Sequence, residues 1–263
     1  MNDRYLPHDS SSLQQSADAI LHARNKTILI EPRRSTVWYR TMHLLWRVMT
    51  RARNAALRAA RASVIVSEQA IENPFLLRRI DPTVRKVLDF GAFESTLPLS
   101  LAALGLDVTV VDQRRYPFSS ERLRVLEHDI LHPLDGLDSD FDLVYSISTV
   151  EHVGLGDYGD PVHPEGDRIA LANLWEKVRP GGQLVVSVPA GRPTVQRGYR
   201  VYDEPALRRV LPYAAELSFF IKHGREGVWR PSDAAAISDH RYQAYFAQSP
   251  CEAVAIAVLR KPA

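Results

Sequence analysis

The sequence predicts an α/β fold: a seven-stranded, mostly parallel sheet with a reversed final strand, preceded by an N-terminal helical extension. After Pro82, short continuous apolar runs alternate with helical patterns, which is typical of buried parallel strands and their crossover helices. The last two apolar runs, 217–222 and 253–260, are separated by mostly polar residues with no obvious helix, so they are expected to pair as antiparallel neighbours. With 263 residues, 45% of them hydrophobic, the chain is long enough to bury a sizeable core.

The individual elements follow from these runs in chain order. Strands are predicted at 86–90, 107–112, 125–129, 141–146, 183–188, 217–222 and 253–260. Helices are predicted at 96–104, 167–178 and 204–211, with a poorly defined piece at 119–122. The segment 131–140 leaves barely enough room for a helix between the third and fourth strands.

The first eighty residues differ from the remainder in charge and pattern. They carry a net charge of +7, whereas the remainder carries −5. From Trp38 to Ala62 apolar residues recur every three or four positions, which predicts one face of a long helix with arginines on another face. Asn73-Pro74 and Asp81-Pro82 interrupt the chain and predict a boundary between the extension, 1–81, and the main domain, 82–263.

Three interpretations of this basic helix stay open: a cap on the domain, a dimer helix, or an interfacial helix that contacts anionic lipid through residues 37–62. No recognised module or aromatic-interleaved basic surface indicates nucleic-acid binding. The single cysteine, Cys251, excludes an internal disulfide and a cysteine-rich zinc site. No apolar run approaches the length of a membrane span and the N-terminus is unlike a signal peptide, so we expect a cytoplasmic protein with peripheral membrane contact left open.

Small and acidic residues stand where the first three predicted strands end, at the edge where open α/β sheets bind ligands. Gly91 allows a tight turn after the first strand and close approach of the backbone to a ligand. Asp112 ends the second strand 21 residues further on, the spacing of an acid that accepts hydrogen bonds from a ribose. Asp129, after the third strand, can accept from an adenine amino group, with Ile130 packed on the ring.

Together with Phe141–Val144 at the fourth strand and the turn Val178–Gly182 before the fifth, these residues resemble the class I S-adenosylmethionine-dependent methyltransferases, a Rossmann-like family. The resemblance runs from about Val84 to the C-terminus. It implies S-adenosylmethionine as the cofactor and methyl transfer as the reaction. The residues expected to hold this cofactor are Asp89, Gly91, Ala92, Phe93, Glu94, Asp112, Gln113, Asp129, Ile130 and Ser146.

The first loop departs from the usual family pattern, because Phe93 stands where a second glycine is expected and its side chain is in a position to crowd the methionine end of the cofactor. The loop Gly91-Ala92-Phe93-Glu94-Ser95 and the segment 151–161 resemble a less-studied branch of the superfamily that is associated with polysaccharide and glycan biosynthesis. This second resemblance implies O-methylation of a saccharide or glycan precursor as the activity.

The residues after the fourth strand narrow the chemistry. Ser146-Ile147-Ser148-Thr149 lacks the Pro-Pro-aromatic motif of methylases that act on base amino groups, and Cys251 is too far along the chain for a cytosine-C5 nucleophile. Glu151-His152 follows instead, and a histidine near its ordinary pKa can remove the proton of an oxygen nucleophile at neutral pH. His152 is the predicted base; an equal alternative is that it hydrogen-bonds the loop and orients Glu151.

Polar residues of two later segments are predicted to bind the acceptor: Asp160, His163, Arg192, Arg197 and Tyr199. We expect no metal, although a divalent cation on an acidic loop stays open, with Asp157, Asp160, His163, Glu165 and Asp167 as its ligands. The expected partner is a small-molecule or glycan acceptor, and the sequence leaves the oligomeric state undetermined. Two other functions stay open: a non-catalytic methyltransferase-like binding protein, and a membrane- or RNA-associated module that acts through the basic helix.

Overall fold

The computed structural model describes residues 66–263, apart from 94, 197, 214, 225–226 and 245–250, together with 44–45, 47–52 and 55. The helix predicted from Trp38 to Ala62 therefore lies largely outside the described residues, and the few described positions within it are helical. No helix in the described part of the chain combines the length and apolarity needed to cross a membrane.

The main sheet has eight strands. They are β1 (Lys86–Phe90), β2 (Asp107–Asp112), β3 (Leu123–Glu127), β4 (Phe141–Ile147), β5 (Val178–Pro189), β8 (Glu216–His223), β9 (Arg230–Ser232) and β10 (Cys251–Arg260). Their order is β3-β2-β1-β4-β5-β10-β8-β9. The first five strands are parallel, whereas β10 is antiparallel to both β5 and β8. This confirms the mostly parallel sheet with a reversed final strand.

The predicted count of seven strands is wrong, because the sheet has an additional edge strand, β9, paired antiparallel with β8. Its three residues, Arg230–Ser232, have no apolar pattern and include a proline, a residue that sheets tolerate at an edge. A further antiparallel pair, β6 (Thr194–Gln196) and β7 (Tyr199–Val201), lies outside the main sheet.

Helices cover both faces of the sheet. They are α1 (Gln69–Leu77), α2 (Leu97–Ala103), α3 (Gly166–Lys177), α4 (Glu204–Val210) and α5 (Ala234–Asp239). Helices α1 and α2 pack in one core cluster, and α3, α4 and α5 pack in the other. The helices predicted at 96–104, 167–178 and 204–211 are confirmed to within one residue at each end, whereas the piece predicted at 119–122 is a turn.

Helix α5 lies in the segment that was expected to contain no helix. Its start is stabilised by Asp233, whose carboxylate accepts a hydrogen bond from the backbone N–H of Ala236 at 2.9 Å. Only Ile237 of this helix is buried, so a single apolar residue anchors it and no apolar period reveals it in the sequence.

Helix α1 precedes the boundary predicted at Pro82 but packs with the main domain. Leu76 and Leu77 are buried in the same cluster as Val87 of β1 and Leu101 of α2. The backbone just before α1 is also held, because the Lys222 ammonium donates to the Val66 carbonyl at 2.6 Å. Residues 66–81 therefore belong to the same folded unit as the sheet, which places Glu68 and Glu72 beside the carboxyl ends of its strands.

Candidate functional site

A cavity of about 700 Å³ opens at the carboxyl ends of β1, β2 and β4 and at the start of the reversed strand β10. From β1 the sheet continues to β2 and β3 on one side, whereas β4 and β5 lie on the other side of β1. Such a switch point leaves a crevice in which α/β proteins bind ligands. The volume lies within the range of about 300 to 1,000 Å³ that is usual for small-molecule sites.

Asp112 connects the loops that follow β1 and β2. It is 4% exposed, and its two carboxylate oxygens accept hydrogen bonds from the backbone N–H of Phe93 at 3.1 Å and of Arg114 at 2.8 Å. Oδ1, which accepts from the Arg114 backbone, also has a long contact of 3.5 Å with Nε of Arg114, whereas Oδ2 keeps a free lone pair that can accept from a ligand hydroxyl in the cavity. The spacing between Gly91 and Asp112 predicted an acceptor for ribose hydroxyls, and the structure places Asp112 in the cavity lining.

Glycine is required at position 91 by the backbone conformation and by the close approach of Thr149. Its φ is +87°, in the left-handed region, and a Cβ at this position would lie 2.1 Å from Cγ2 of Thr149. The absence of a side chain thus lets the loop after β1 pack directly against the loop after β4.

The cavity brings together most of the predicted cofactor residues. Its lining includes Asp89, Gly91, Ala92, Phe93, Asp112, Gln113, Asp129 and Ile130. Glu94 lies outside the described residues. Ser146 is fully buried and does not line the cavity, because side chains alternate along β4 and its neighbours Tyr145 and Ile147 face the cavity instead.

Phe93, the departure from the family pattern, packs against a cation. The guanidinium carbon of Arg114 lies 3.8 Å from the centre of the Phe93 ring and 5.1 Å from the centre of the Tyr158 ring. The Gln113 side-chain amide donates to the Tyr158 carbonyl at 3.0 Å. These contacts join the loop after β2 to the loop around Tyr158 across one end of the cavity.

A buried acid lies under the loop after β1. Burial, with a smaller contribution from the nearby Asp112 carboxylate, raises the pKa of Asp89 to about 8 against the opposing effect of a hydrogen bond of 2.6 Å donated by the Tyr145 hydroxyl. At neutral pH this carboxyl group is largely protonated.

His152 and Glu151 end the turn of 3-10 helix Val150–His152 and both line the cavity. The Nδ1 atom of His152 is hydrogen-bonded to the Gly198 carbonyl, which requires the proton on Nδ1 and leaves the lone pair on Nε2. Burial lowers the pKa of His152, so the neutral form is favoured at pH 7. The ring thus binds the loop, as one sequence interpretation predicted, and the role of His152 as a base stays a prediction for which Nε2 is the available nitrogen.

Glu151 is 1% exposed. Its Oε1 lies 3.7 Å from Nε2 of His152, and its Oε2 has no hydrogen-bond partner in the described structure. Burial raises the pKa of Glu151 well above its usual value, and the nearby Glu72 and Glu68 raise it further. A buried carboxyl group with an unpartnered oxygen at the cavity wall is a site for a ligand donor.

Glu72 is a buried acid that the sequence analysis missed, because it falls in the predicted extension. The Ser148 hydroxyl donates to its Oε1 at 2.7 Å, and Ser148 itself has a left-handed φ of +46°. Glu68, Trp229, Tyr242 and Glu252, also missed, line the cavity. The only sequence signal for Glu72 is a lone acid among apolar residues of a short helix, and this does not reveal where its side chain points.

The predicted acceptor residues divide into two groups. Asp160 and Tyr199 line the cavity, and Asp160 accepts a hydrogen bond from the backbone N–H of Gly154 at 2.5 Å. His163 and Arg192 do not line it, and Arg192 is exposed with its guanidinium 3.6 Å from Asp239. Arg197 lies outside the described residues.

The acidic loop is held by protein contacts. Asp167 accepts from the Tyr202 hydroxyl at 2.7 Å, Glu165 pairs with Arg168 at 2.9 Å, and Asp157 is exposed. The residues that the structure describes contain no group of three or more His, Cys, Asp or Glu side chains placed to hold a metal ion. The cation that the sequence left open on this loop therefore finds no assembled set of ligands there.

Arg200 stabilises this loop through hydrogen bonds to its backbone carbonyls. It is 7% exposed and donates to the carbonyls of Val153 at 2.7 Å and His163 at 3.3 Å, with its Nε 3.7 Å from Asp167. This buried guanidinium holds the loop that carries Glu151 and His152.

We predict that the titration of Glu72 lowers the free energy of unfolding as the pH rises. Burial raises its pKa from 4.5 to about 7 in the folded state, so from about pH 4.5 to pH 7 the unfolded chain releases the proton first and is favoured. The full effect is on the order of 3 kcal/mol. In urea unfolding, the loss of stability across this range should be smaller in Glu72→Gln than in the wild type.

Asp89 titrates in the same direction, so part of the pH dependence will persist in this variant. Glu176→Gln is the matched control, since Glu176 is an exposed carboxylate of α3 outside the cavity. Equal slopes for Glu72→Gln and the wild type would contradict the assignment.

The strand order, the glycine turn after β1 and the acid at the end of β2 define a Rossmann-like α/β protein with a ligand cavity at its switch point. A family model described as "Caenorhabditis protein of unknown function, DUF268" matches residues 109–211, from β2 to just beyond α4. No curated protein matches the chain.

Among solved structures, the chain is similar to 1,6-didemethyltoxoflavin-N1-methyltransferase of Burkholderia thailandensis, crystallised with 1,6-didemethyltoxoflavin and S-adenosylhomocysteine (19% identity, 89% of this chain, 94% of that chain, TM-score 0.46). It is also similar to the N-methyltransferase NodS of Bradyrhizobium japonicum with S-adenosylhomocysteine (18%, 68% and 79%, TM-score 0.44). A third similar structure is a putative methyltransferase of Bacillus halodurans (12%, 72% and 97%, TM-score 0.48).

Proposed function

We propose that the protein is an S-adenosylmethionine-dependent methyltransferase that acts on a small-molecule acceptor. The observation that carries this proposal is one continuous cavity that joins Asp112, at the end of β2, to the Glu151-His152 pair after β4. A nucleoside-binding acid and a proton acceptor thus share one ligand cavity, as transfer from an adenosyl donor to a second molecule requires.

The residues present fit this cofactor. Asp112 would accept from the two ribose hydroxyls, Asp129 and Ile130 would contact the adenine, and Gly91-Ala92-Phe93 would lie along the methionine moiety. The Phe93 ring lies against Arg114, so its contact with this guanidinium supports the view that the ring leaves the cavity open. When bound, S-adenosylmethionine supplies a methyl group on a positively charged sulfur.

We further propose that the acceptor atom is an oxygen, in the first instance a hydroxyl of a saccharide or glycan precursor. Nε2 of His152 would accept the hydroxyl proton of this acceptor, while S-adenosylmethionine, when bound, would supply the methyl group that replaces it. His152 is suited to this step because the Gly198 carbonyl holds its proton on Nδ1 and burial keeps the ring neutral.

His152→Asn should lower kcat by about 10²- to 10⁴-fold, the usual contribution of a general base. Asn can still donate to the Gly198 carbonyl, so the affinity for S-adenosylhomocysteine should be unchanged. Single-turnover methylation with the identified acceptor measures the first quantity and calorimetry the second. A parallel loss of cofactor affinity would assign His152 to the loop structure alone.

Calorimetric titration of the full chain with S-adenosylhomocysteine, beside a nicotinamide dinucleotide as control ligand, tests the proposed function. We expect micromolar binding of the first and none of the second. Absence of binding at millimolar S-adenosylhomocysteine, or equal binding of the dinucleotide, would overturn the proposal.

A further inference from the structure

We infer that the acceptor carries a positively charged amino group, bound by carboxyl groups and aromatic rings at the end of the cavity away from Asp112. The inference rests on the proposed function and names the class of its substrate. It starts from the sheet order, in which β10 lies four strands from β2, so Glu252 at the start of β10 is roughly 19 Å from Asp112. The cavity thus has room for a second ligand beyond the cofactor.

This acceptor end is acidic. Glu68, Glu151 and Glu252 all line the cavity. The one lysine or arginine in the lining that the structure describes is Arg114, which is stacked on Phe93 at the cofactor end. The nearby ammonium of Lys222 is already engaged, because it pairs with Glu252 and donates to the Val66 carbonyl.

Two of these acids are buried without enough partners. Glu151 and Glu252 are each 1% exposed, and Oε2 of Glu151 and Oε1 of Glu252 accept no hydrogen bond in the described structure. Burial raises the pKa of both carboxyl groups, and neighbouring Glu68 raises the pKa of each further. Acids crowded in this way are destabilised when ionised, and a ligand cation with several N–H donors would remove that destabilisation.

Aromatic rings complete the acceptor end. Tyr199 and Tyr242 line it, and their rings meet edge to face with their centres 5.7 Å apart. Trp229 also lines the cavity, but the Lys222 ammonium already lies 5.4 Å from the centre of its ring. Burial raises the pKa of the Tyr242 hydroxyl, and the nearby Glu68, Glu151 and Glu252 raise it further. Aromatic faces beside carboxylates form a combination that binds ammonium groups in proteins.

The same features disfavour an anionic acceptor, which would bring a negative charge to carboxyl groups beside which the described lining has no lysine or arginine other than Arg114. Of the two arginines predicted to bind the acceptor, Arg192 lies outside the cavity and Arg197 lies outside the described residues. The chemistry points to an ammonium near the methylated atom, as in an amino sugar or a simple amino alcohol.

Matched probes test this inference on the full chain. Glucosamine, glucose and glucuronate carry positive, zero and negative charge on one ring, and ethanolamine differs from ethylene glycol by an ammonium in place of a hydroxyl. Each is titrated into protein saturated with S-adenosylhomocysteine and, in parallel, into protein without it. We expect glucosamine or ethanolamine to bind at least about tenfold more tightly than its neutral counterpart, and glucuronate to bind most weakly.

A pair of variants shows where the preference arises. Glu151→Gln keeps the side-chain shape and should remove most of the tenfold preference while S-adenosylhomocysteine still binds. Glu165→Gln, an exposed acid outside the cavity that pairs with Arg168, should leave every affinity unchanged.

Two outcomes would overturn the inference: no preference for either cationic probe at millimolar concentration, or a preference that Glu151→Gln leaves intact. Preference for glucosamine alone would identify the amino sugar, and preference for ethanolamine alone the amino alcohol, both in support. Failure of S-adenosylhomocysteine to bind would overturn the proposed function separately, since the titrations without it still measure the charge preference.

Discussion

Replacing Asp112 with alanine is expected to weaken binding of S-adenosylhomocysteine by about 10²- to 10⁴-fold. Two ribose hydroxyls would lose their charged acceptor, and a hydrogen bond to a charged group contributes about 1.5 to 3 kcal/mol. The variant also removes the carboxylate that accepts from the backbone N–H groups of Phe93 and Arg114, so the loops after β1 and β2 lose their connection. Calorimetry measures the affinity, and thermal unfolding measures the cost to the fold.

Asp107→Ala is the matched control for this variant. Asp107 begins the same strand, is exposed, and pairs with Arg122 at 2.9 Å at the edge of the sheet opposite the cavity. We expect this exposed pair to contribute little to stability and nothing to cofactor affinity. If both variants bound S-adenosylhomocysteine like the wild type, Asp112 would not be a ribose ligand.

Of the substitutions that add one methyl group to the loop after β1, Gly91→Ala should destabilise the fold most. The left-handed φ costs a residue with a Cβ about 1 to 2 kcal/mol, and displacing a packed neighbour costs about 1 to 3 kcal/mol more. The neighbour is Thr149, whose Cγ2 and Oγ1 would lie 2.1 and 2.4 Å from the new Cβ. The expected loss of folding free energy is therefore about 2 to 5 kcal/mol, with weaker binding of S-adenosylhomocysteine because the loop must move.

Gly136→Ala separates the two contributions. Gly136 has a similar φ of +79°, but a Cβ there would meet no atom within 4 Å. This variant should lose only the backbone part, about 1 to 2 kcal/mol, and should bind S-adenosylhomocysteine normally. Urea unfolding of both variants measures the difference, and equal losses would show that the contact with Thr149 is not rigid.

Elements with a strong local pattern were predictable. The apolar runs of β1, β2 and β4 and the helix over 167–178 follow from hydrophobic periodicity, which depends only on neighbours in the chain. The short elements were not predictable. Strand β9 is stabilised by pairing with β8, and helix α5 is stabilised by the cap of Asp233. The residues of these two elements do not reveal such contacts. Likewise, the face of β4 that meets the cavity depends on strand register, which is why Ser146 was assigned to it in error.

By itself, the sequence determined the proposed cofactor end of the cavity, because consecutive parallel strands bring their carboxyl ends, and with them Gly91, Asp112 and Asp129, to one edge of the sheet. Only the tertiary structure decided the proposed acceptor end. Glu68, Glu151 and Glu252 come from the segment before α1, the turn after β4 and the reversed strand β10, and packing across the sheet makes them neighbours. Charge and burial at such a site depend on contacts between distant segments, which no local pattern encodes.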